Sequence, residues 1–191
     1  MPITNNKDLR KLVLRLVSKY SKNNQHLFSV EDISLKILDS LSNILVSNPL
    51  ERELLSHASL LHDIGSYINE KKHHEHTKYI IDYEEILAHY PADEKILLSL
   101  ITYNHRKKIH DSVRLLPKKD KELVLRLSSI LRLADSLDFS KEKVIVKEVK
   151  IQNSEIKIFI DGIIPEKLND RLLKKKTLFC KIFMLDFCLE T

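Results

Sequence analysis

Glycine and proline are scarce in these 191 residues, two and five respectively. The turns of a many-stranded sheet draw on both, so the shortage argues against an all-β architecture and predicts long helices. Cysteine is as rare as glycine. Cys180 and Cys188 do not form a Cys-x-x-Cys pair, and they read as buried thiols in a reducing compartment. No apolar run approaches 18 residues, which excludes a membrane-spanning helix, and residues 1–17 lack the layout of a signal peptide. The expectation is a cytoplasmic protein with no membrane contact. Aromatic residues are not interleaved with basic ones as single-strand binders require, so nucleic acid is a poor candidate partner.

What is present describes a soluble globular chain. Hydrophobic residues make up 43% and charged residues 31%. The length suffices for one domain with a sizeable core, or for a larger and a smaller unit sharing an interface. The net charge is +5. Much of the excess sits in Arg106-Lys107-Lys108 and Lys174-Lys175-Lys176. Such runs serve either as solvated faces or as a field that attracts phosphate to a nearby site.

Apolar residues recur at helical spacing over 7–20, 26–46, 51–64, 74–88, 93–105 and 120–138. Asn48-Pro49 separates the second helix from the third, because the residue before proline avoids the α region. Gly65 follows the third helix at once and is placed to terminate it. Asp93 and Asp120 fall in first turns, where negative charge suits the helix dipole. The pattern then changes. VIVKEVKI (144–151) and EIKIFID (155–161) are β-branched and partly alternating, with QNS between them, and predict a hairpin. Helical spacing returns over 165–184, and LDFCLE (185–190) predicts a last strand. The expected fold is mainly α: a bundle of about six helices over residues 1–140, followed by a small α+β unit of ββαβ order over 141–191.

Several polar residues stand where they are costly. Asp63 follows His62 at the end of the apolar third helix, and Asp135 lies among leucines in ILRLADSLD. A carboxylate in such surroundings needs a partner or a cation. His26, His62-Asp63 and Asp135 come from three different helices, and metal sites in helical proteins are built from imidazoles and carboxylates projecting inward in this way. Plainer roles are open to each: an imidazole–carboxylate pair closing a helix end, a salt bridge from Asp135 to Arg132, an ordinary histidine ahead of the second helix.

The order His…His-Asp…Asp is more specific than its parts. It resembles the HD superfamily of metal-dependent phosphohydrolases. The stretches LLSHASLLHDIGSYI, HHEHTKYII, LITYNHRK and ILRLADSLD are closest to the C-terminal helical region of the exopolyphosphatase/guanosine-pentaphosphate phosphatase family. The resemblance runs from about residue 7 to the C-terminus. The actin-like ATPase-fold portion that carries that family's polyphosphate-cleaving site has no counterpart here, so that activity is not implied. By resemblance, His26, His62, Asp63 and Asp135 match the HD pattern. Two more positions resemble the extra histidines of binuclear members: His105, and one of the HHEH cluster, where His76 is favoured over His73. No Gly-Tyr-Pro follows His105, unlike the branch that cleaves cyclic dinucleotides. No Glu-Asp closely follows the doublet, unlike the stringent-response hydrolases.

The resemblance implies one or two divalent ions, with Asp63 as bridge for a pair about 3.5–4 Å apart. Mixed imidazole and carboxylate ligands suit Mn, Fe, Co, Ni or Zn better than Mg alone. It implies hydrolysis of a nucleotide or other small phosphorylated substrate, with Arg106 placed to hold phosphate and Lys107 and Lys108 adding field. Arg132, one turn from Asp135, either orients that carboxylate or binds phosphate. A competing expectation is a non-catalytic module that binds polyphosphate, a nucleotide or a protein partner. A homodimer is left open by the sequence.

Overall fold

The computed structural model describes residues 6–22, 24–45, 48–106, 108–138, 145–161 and 166–191. Among these residues six α-helices make the body: α1 (Asn6–Tyr20), α2 (Gln25–Ser40), α3 (Pro49–Leu61), α4 (His73–Tyr83), α5 (Ala92–Tyr103) and α6 (Lys118–Leu137). Then come β1 (Ile145–Gln152), β2 (Glu155–Asp161), α7 (Glu166–Phe183) and β3 (Asp186–Glu190). The fold is mainly α with a small ββαβ appendage. No helix among the described residues is long and apolar enough to cross a membrane.

Local chemistry accounts for the boundaries. Asn48 is extended and its side chain accepts a hydrogen bond from Glu51 N at 2.9 Å. With Pro49 as first helical residue, this is a strong start for α3. The second helix stops short of the expected residue 46. It ends at Ser40 and tightens into a 3-10 turn, Leu41–Asn43. Leu41 keeps the apolar period and is fully buried, so periodicity alone could not place the break. The fourth helix likewise ends at Tyr83 and gives way to a 3-10 turn, Glu85–Leu87. The hairpin turns through Asn153 and Ser154, both at positive φ, the two-residue geometry that matches the twist of paired strands.

In the sheet, β2 lies centrally, antiparallel to β1 and parallel to β3. The parallel pair requires a crossover, and α7 supplies it. Ile156, Ile158 and Ile160 alternate toward the interior with Leu168, Leu172 and Phe179 of α7. These side chains belong to the same buried cluster as the helical body. Lys36 of α2 donates to Val146 O at 3.0 Å. The appendage therefore packs into the body, and α7 lies against α6 beside Asp135. Cys180 and Cys188 form no disulfide and are half-buried, rather than core thiols as the apolar context suggested.

Gly65 has a different task from the expected one. The helix ends before it, and Gly65 sits in the 3-10 turn Ile64–Tyr67. A Cβ there would stand 2.1 Å from His73 O and 2.4 Å from Thr77 N. Its lack of a side chain lets the start of α4 lie directly on the backbone that follows His62-Asp63.

Candidate metal centre

Helix ends bring the polar residues together. His26 is in the first turn of α2. His62 caps the C-terminus of α3, and Asp63 follows it. His73 opens α4, His105 lies just past α5, and Asp135 is in the last turns of α6. They form two neighbouring groups: His26, His62 and Asp135, and Asp63, His73 and His105. In the first, the two Nε2 atoms are 3.2 Å apart, and each is 3.9 Å from Asp135 Oδ1. In the second, His73 Nε2 is 2.9 Å from His105 Nε2 and 3.0 Å from Asp63 Oδ1. The groups meet where the rings of His62 and His105 make an edge contact, centroids 5.2 Å apart.

Each imidazole is held from behind. His62 Nδ1–H donates to Ser59 O at 2.8 Å, His73 to Glu70 O at 3.1 Å and His105 to Thr102 O at 2.5 Å. A carbonyl can only accept, so these contacts fix the proton on Nδ1 and leave Nε2 as a lone pair. The fourth ring, His26, gives its Nδ1 to Asp138 Oδ2 at 2.5 Å, and Ser29 steadies the same carboxylate through Oδ1 at 2.6 Å. Four Nε2 atoms thus face inward in two close pairs, and in the neutral tautomers set by these ties none of them carries a proton. Such lone pairs repel unless a cation or an added proton lies between them. Two nitrogens each about 2.1 Å from one metal stand about 3.0–3.4 Å apart, close to both pairs. The donor set fits a divalent cation in each group.

Electrostatics point the same way for His62, His105 and Asp135. Burial pushes the His62 imidazole down and the fully enclosed His105 well down, so both remain neutral donors near pH 7. Burial alone would raise Asp135, but its cationic neighbours, Lys175 first and Arg171 with it, hold it far below the usual carboxylate range. Burial would lower His26, yet its hydrogen bond to Asp138 and the nearby carboxylates raise it, so a proton on its Nε2 competes with a cation for the space facing His62.

The sequence expectations divide. His26, His62, Asp63, His105 and Asp135 all come together. His76 does not join them: His73 stands in its place. The inward face of α4 is set by His73, Thr77, Ile80 and Ile81, and His76 lies on its flank, half-buried. Arg132 makes no ion pair with Asp135. It is buried, its pKa lowered to about 10 by burial, and its Nε donates to Asn104 O at 2.6 Å, beneath the loop that carries His105. Arg106 and Lys108 are exposed and line a cavity of about 550 Å³ beside the centre. Lys107 lies outside the described residues.

Sequence reasoning missed three contributors. Asp138 is one turn beyond Asp135 in the same quoted motif, and that spacing on one helix face was its signal. Arg171 and Lys175 of α7 both reach Asp135 and line the same cavity. The only hint of Lys175 was its place in the run 174–176.

Residues 10–180 match the family model described as Ppx/GppA phosphatase, domain III. A protein of Aeromonas hydrophila subsp. hydrophila named guanosine-5'-triphosphate,3'-diphosphate pyrophosphatase is 33% identical over 125 residues, 62% of this chain and 24% of that protein. Its namesake from Aeromonas salmonicida is 30% identical over 144 residues, 73% of this chain and 28% of that protein. The chain spans about a quarter of the length of these curated relatives.

Proposed function

The chain belongs to the Ppx/GppA phosphatase family through its domain III, and from that premise we propose that it is a metal-dependent phosphohydrolase of the HD type. Its substrate is a nucleotide or another small phosphorylated molecule. The observation that carries this reading is the pairing of four inward Nε2 lone pairs with Asp63 and Asp135. His26, His62 and Asp135 would hold one divalent cation, and Asp63, His73 and His105 a second. Such a cation supplies a Lewis acid that offsets phosphoryl charge and makes water a competent nucleophile near neutral pH.

The chain's own residues do the rest. The backbone ties of His62, His73 and His105 keep the rings oriented, so little reorganisation accompanies ligation. Asp138 does the same for His26. Arg106, next to His105, presents a planar fork to a phosphate entering the cavity, and Lys108 adds charge on the same wall. Burial of His62 and His105 keeps bulk water from their inner nitrogens.

A second reading, a module that binds a protein partner, has one observation in its favour. Tyr67, Ile68, Tyr79 and Tyr83 are exposed together on α4 and the turn before it.

Elemental analysis after manganese loading and desalting separates the two. We expect about two ions per chain in the wild type, about one in His73→Ala, and no change in His76→Ala. The loaded protein should hydrolyse at least one member of a phosphoester panel, and His62→Ala with Asp63→Ala should abolish this. A wild type that retains no metal sinks the hydrolase reading and leaves the binding module.

A further inference from the structure

Asp135 serves two sets of neighbours. Its Oδ1 faces the Nε2 atoms of His26 and His62, and the same oxygen accepts from Arg171 Nη2 at 3.1 Å. Its Oδ2 accepts from Lys175 Nζ at 3.2 Å. Arg171 also donates to Asp135 O at 2.7 Å, and Lys175 to His105 O at 3.1 Å. Any divalent cation on the histidine side therefore competes with two side-chain cations for one carboxylate.

These two cations also border the cavity. Among the described residues, Arg106, Lys108, Arg171, Lys174 and Lys175 line it against one carboxylate, Asp170. The Lys175 side chain is 12% exposed, so water screens it little and Asp135 is its chief counter-charge. If Asp135 is drawn toward a divalent ion, Lys175 and Arg171 are left with less compensation in a wall already rich in positive charge. A phosphate in the cavity restores it. Conversely, a phosphate that engages Lys175 and Arg171 loosens their hold on Asp135 and leaves the carboxylate to the histidine side.

We propose that Lys175 and Arg171 are shared between Asp135 and a substrate phosphate, so that divalent cation and phosphate bind cooperatively and α7 completes the anion site. The proposal rests on the metal reading of the centre. Lys175 and Arg171 act as phosphate-binding residues, and through Asp135 they set how tightly the metal is held. Linkage makes the effect reciprocal: the factor by which the cation strengthens phosphate binding equals the factor by which phosphate strengthens cation binding.

Lys175→Met gives the discriminating test, since it keeps most of the unbranched side chain and removes its charge. Isothermal titration of the full chain measures Mn²⁺ affinity with and without inorganic phosphate, and phosphate affinity with and without Mn²⁺. In the wild type, saturating Mn²⁺ should tighten phosphate binding about tenfold or more. Lys175→Met should bind Mn²⁺ severalfold more tightly, because a competitor for Asp135 is gone. It should bind phosphate about tenfold more weakly and lose the Mn²⁺ enhancement. Lys175→Arg should restore both. A loss of general structure would weaken both ligands together, so opposite signs mark the proposed role. Phosphate affinity indifferent to Mn²⁺ in a wild type that binds Mn²⁺ overturns this inference alone, as does weaker Mn²⁺ binding in Lys175→Met. A wild type that binds no Mn²⁺ overturns the metal centre and this inference with it.

Discussion

Replacing Gly65 with alanine tests whether the close approach of α4 to the chain after His62-Asp63 builds the second ligand group. The new Cβ would lie 2.1 Å from His73 O and 2.4 Å from Thr77 N, both backbone atoms that cannot rotate aside. Ordinary carbon contacts are about 3.5 Å, so the start of α4 must retreat by more than about 1 Å. Overpacking of this kind costs about 1–3 kcal/mol. The retreat also strains two hydrogen bonds, Gly65 N to Thr77 Oγ1 and Thr77 Oγ1 to His62 O, each 3.0 Å and each contributing about 1 kcal/mol. A total near 4 kcal/mol, at about 2–4 °C per kcal/mol for a chain of this size, lowers Tm by roughly 10 °C. Because His73 opens α4 only 3.0 Å from Asp63, the same movement should remove about one metal equivalent. Circular dichroism melting and elemental analysis on one preparation check both. A Tm within about 2 °C of wild type with metal content intact would refute the reasoning.

Two further outcomes follow from the geometry. Asp138→Asn should weaken metal binding about 10–100-fold through His26, read by competition with a chelator, with little change in Tm; equal affinity would remove Asp138 from the support of the centre. His57, outside the centre, is buried and shares a 2.8 Å hydrogen bond with Tyr90 Oη, and burial lowers its pKa to about 4. The unfolded chain takes up this proton near pH 6.5 and the folded chain does not. The contribution is thus fully present above about pH 6.5 and lost as pH falls toward 4, by about 3 kcal/mol at most. His57→Asn should flatten the stability profile across that window in urea titrations, and an unaltered slope would contradict the assignment.

Much of this architecture is legible in the residue pattern because burial enforces it. Six apolar periodicities and a β-branched pair gave the body and the hairpin. His26, His62, Asp63 and Asp135 stood out as polar groups in or beside apolar helices, where they need partners, whereas His105 was marked only by the family resemblance. The failures have physical causes. His73 and His76 are one turn apart, and which of them turns inward depends on where α4 rests on Gly65, a contact that no local pattern encodes. Helical spacing puts Arg132 one turn from Asp135 and leaves its role open between that carboxylate and a phosphate, but its guanidinium is drawn to Asn104 O instead. In Lys174-Lys175-Lys176 the three side chains look alike in sequence. Only the packing of α7 against α6 sends Lys175 to Asp135. The early end of α2 was hidden because Leu41 stays buried in the 3-10 turn that follows.

The backbone ties of His62 and His105 carry one more consequence. Ser59 O and Thr102 O belong to the last turns of α3 and α5, where carbonyls have no amide four residues ahead within the helix. The imidazoles are therefore C-terminal caps as well as candidate ligands. Fraying of either helix end and release of its ligand become one event, so amide exchange in those last turns can serve as a residue-level gauge of occupancy. Metal should slow exchange at the ends of α3 and α5 while leaving the far end of each helix unchanged.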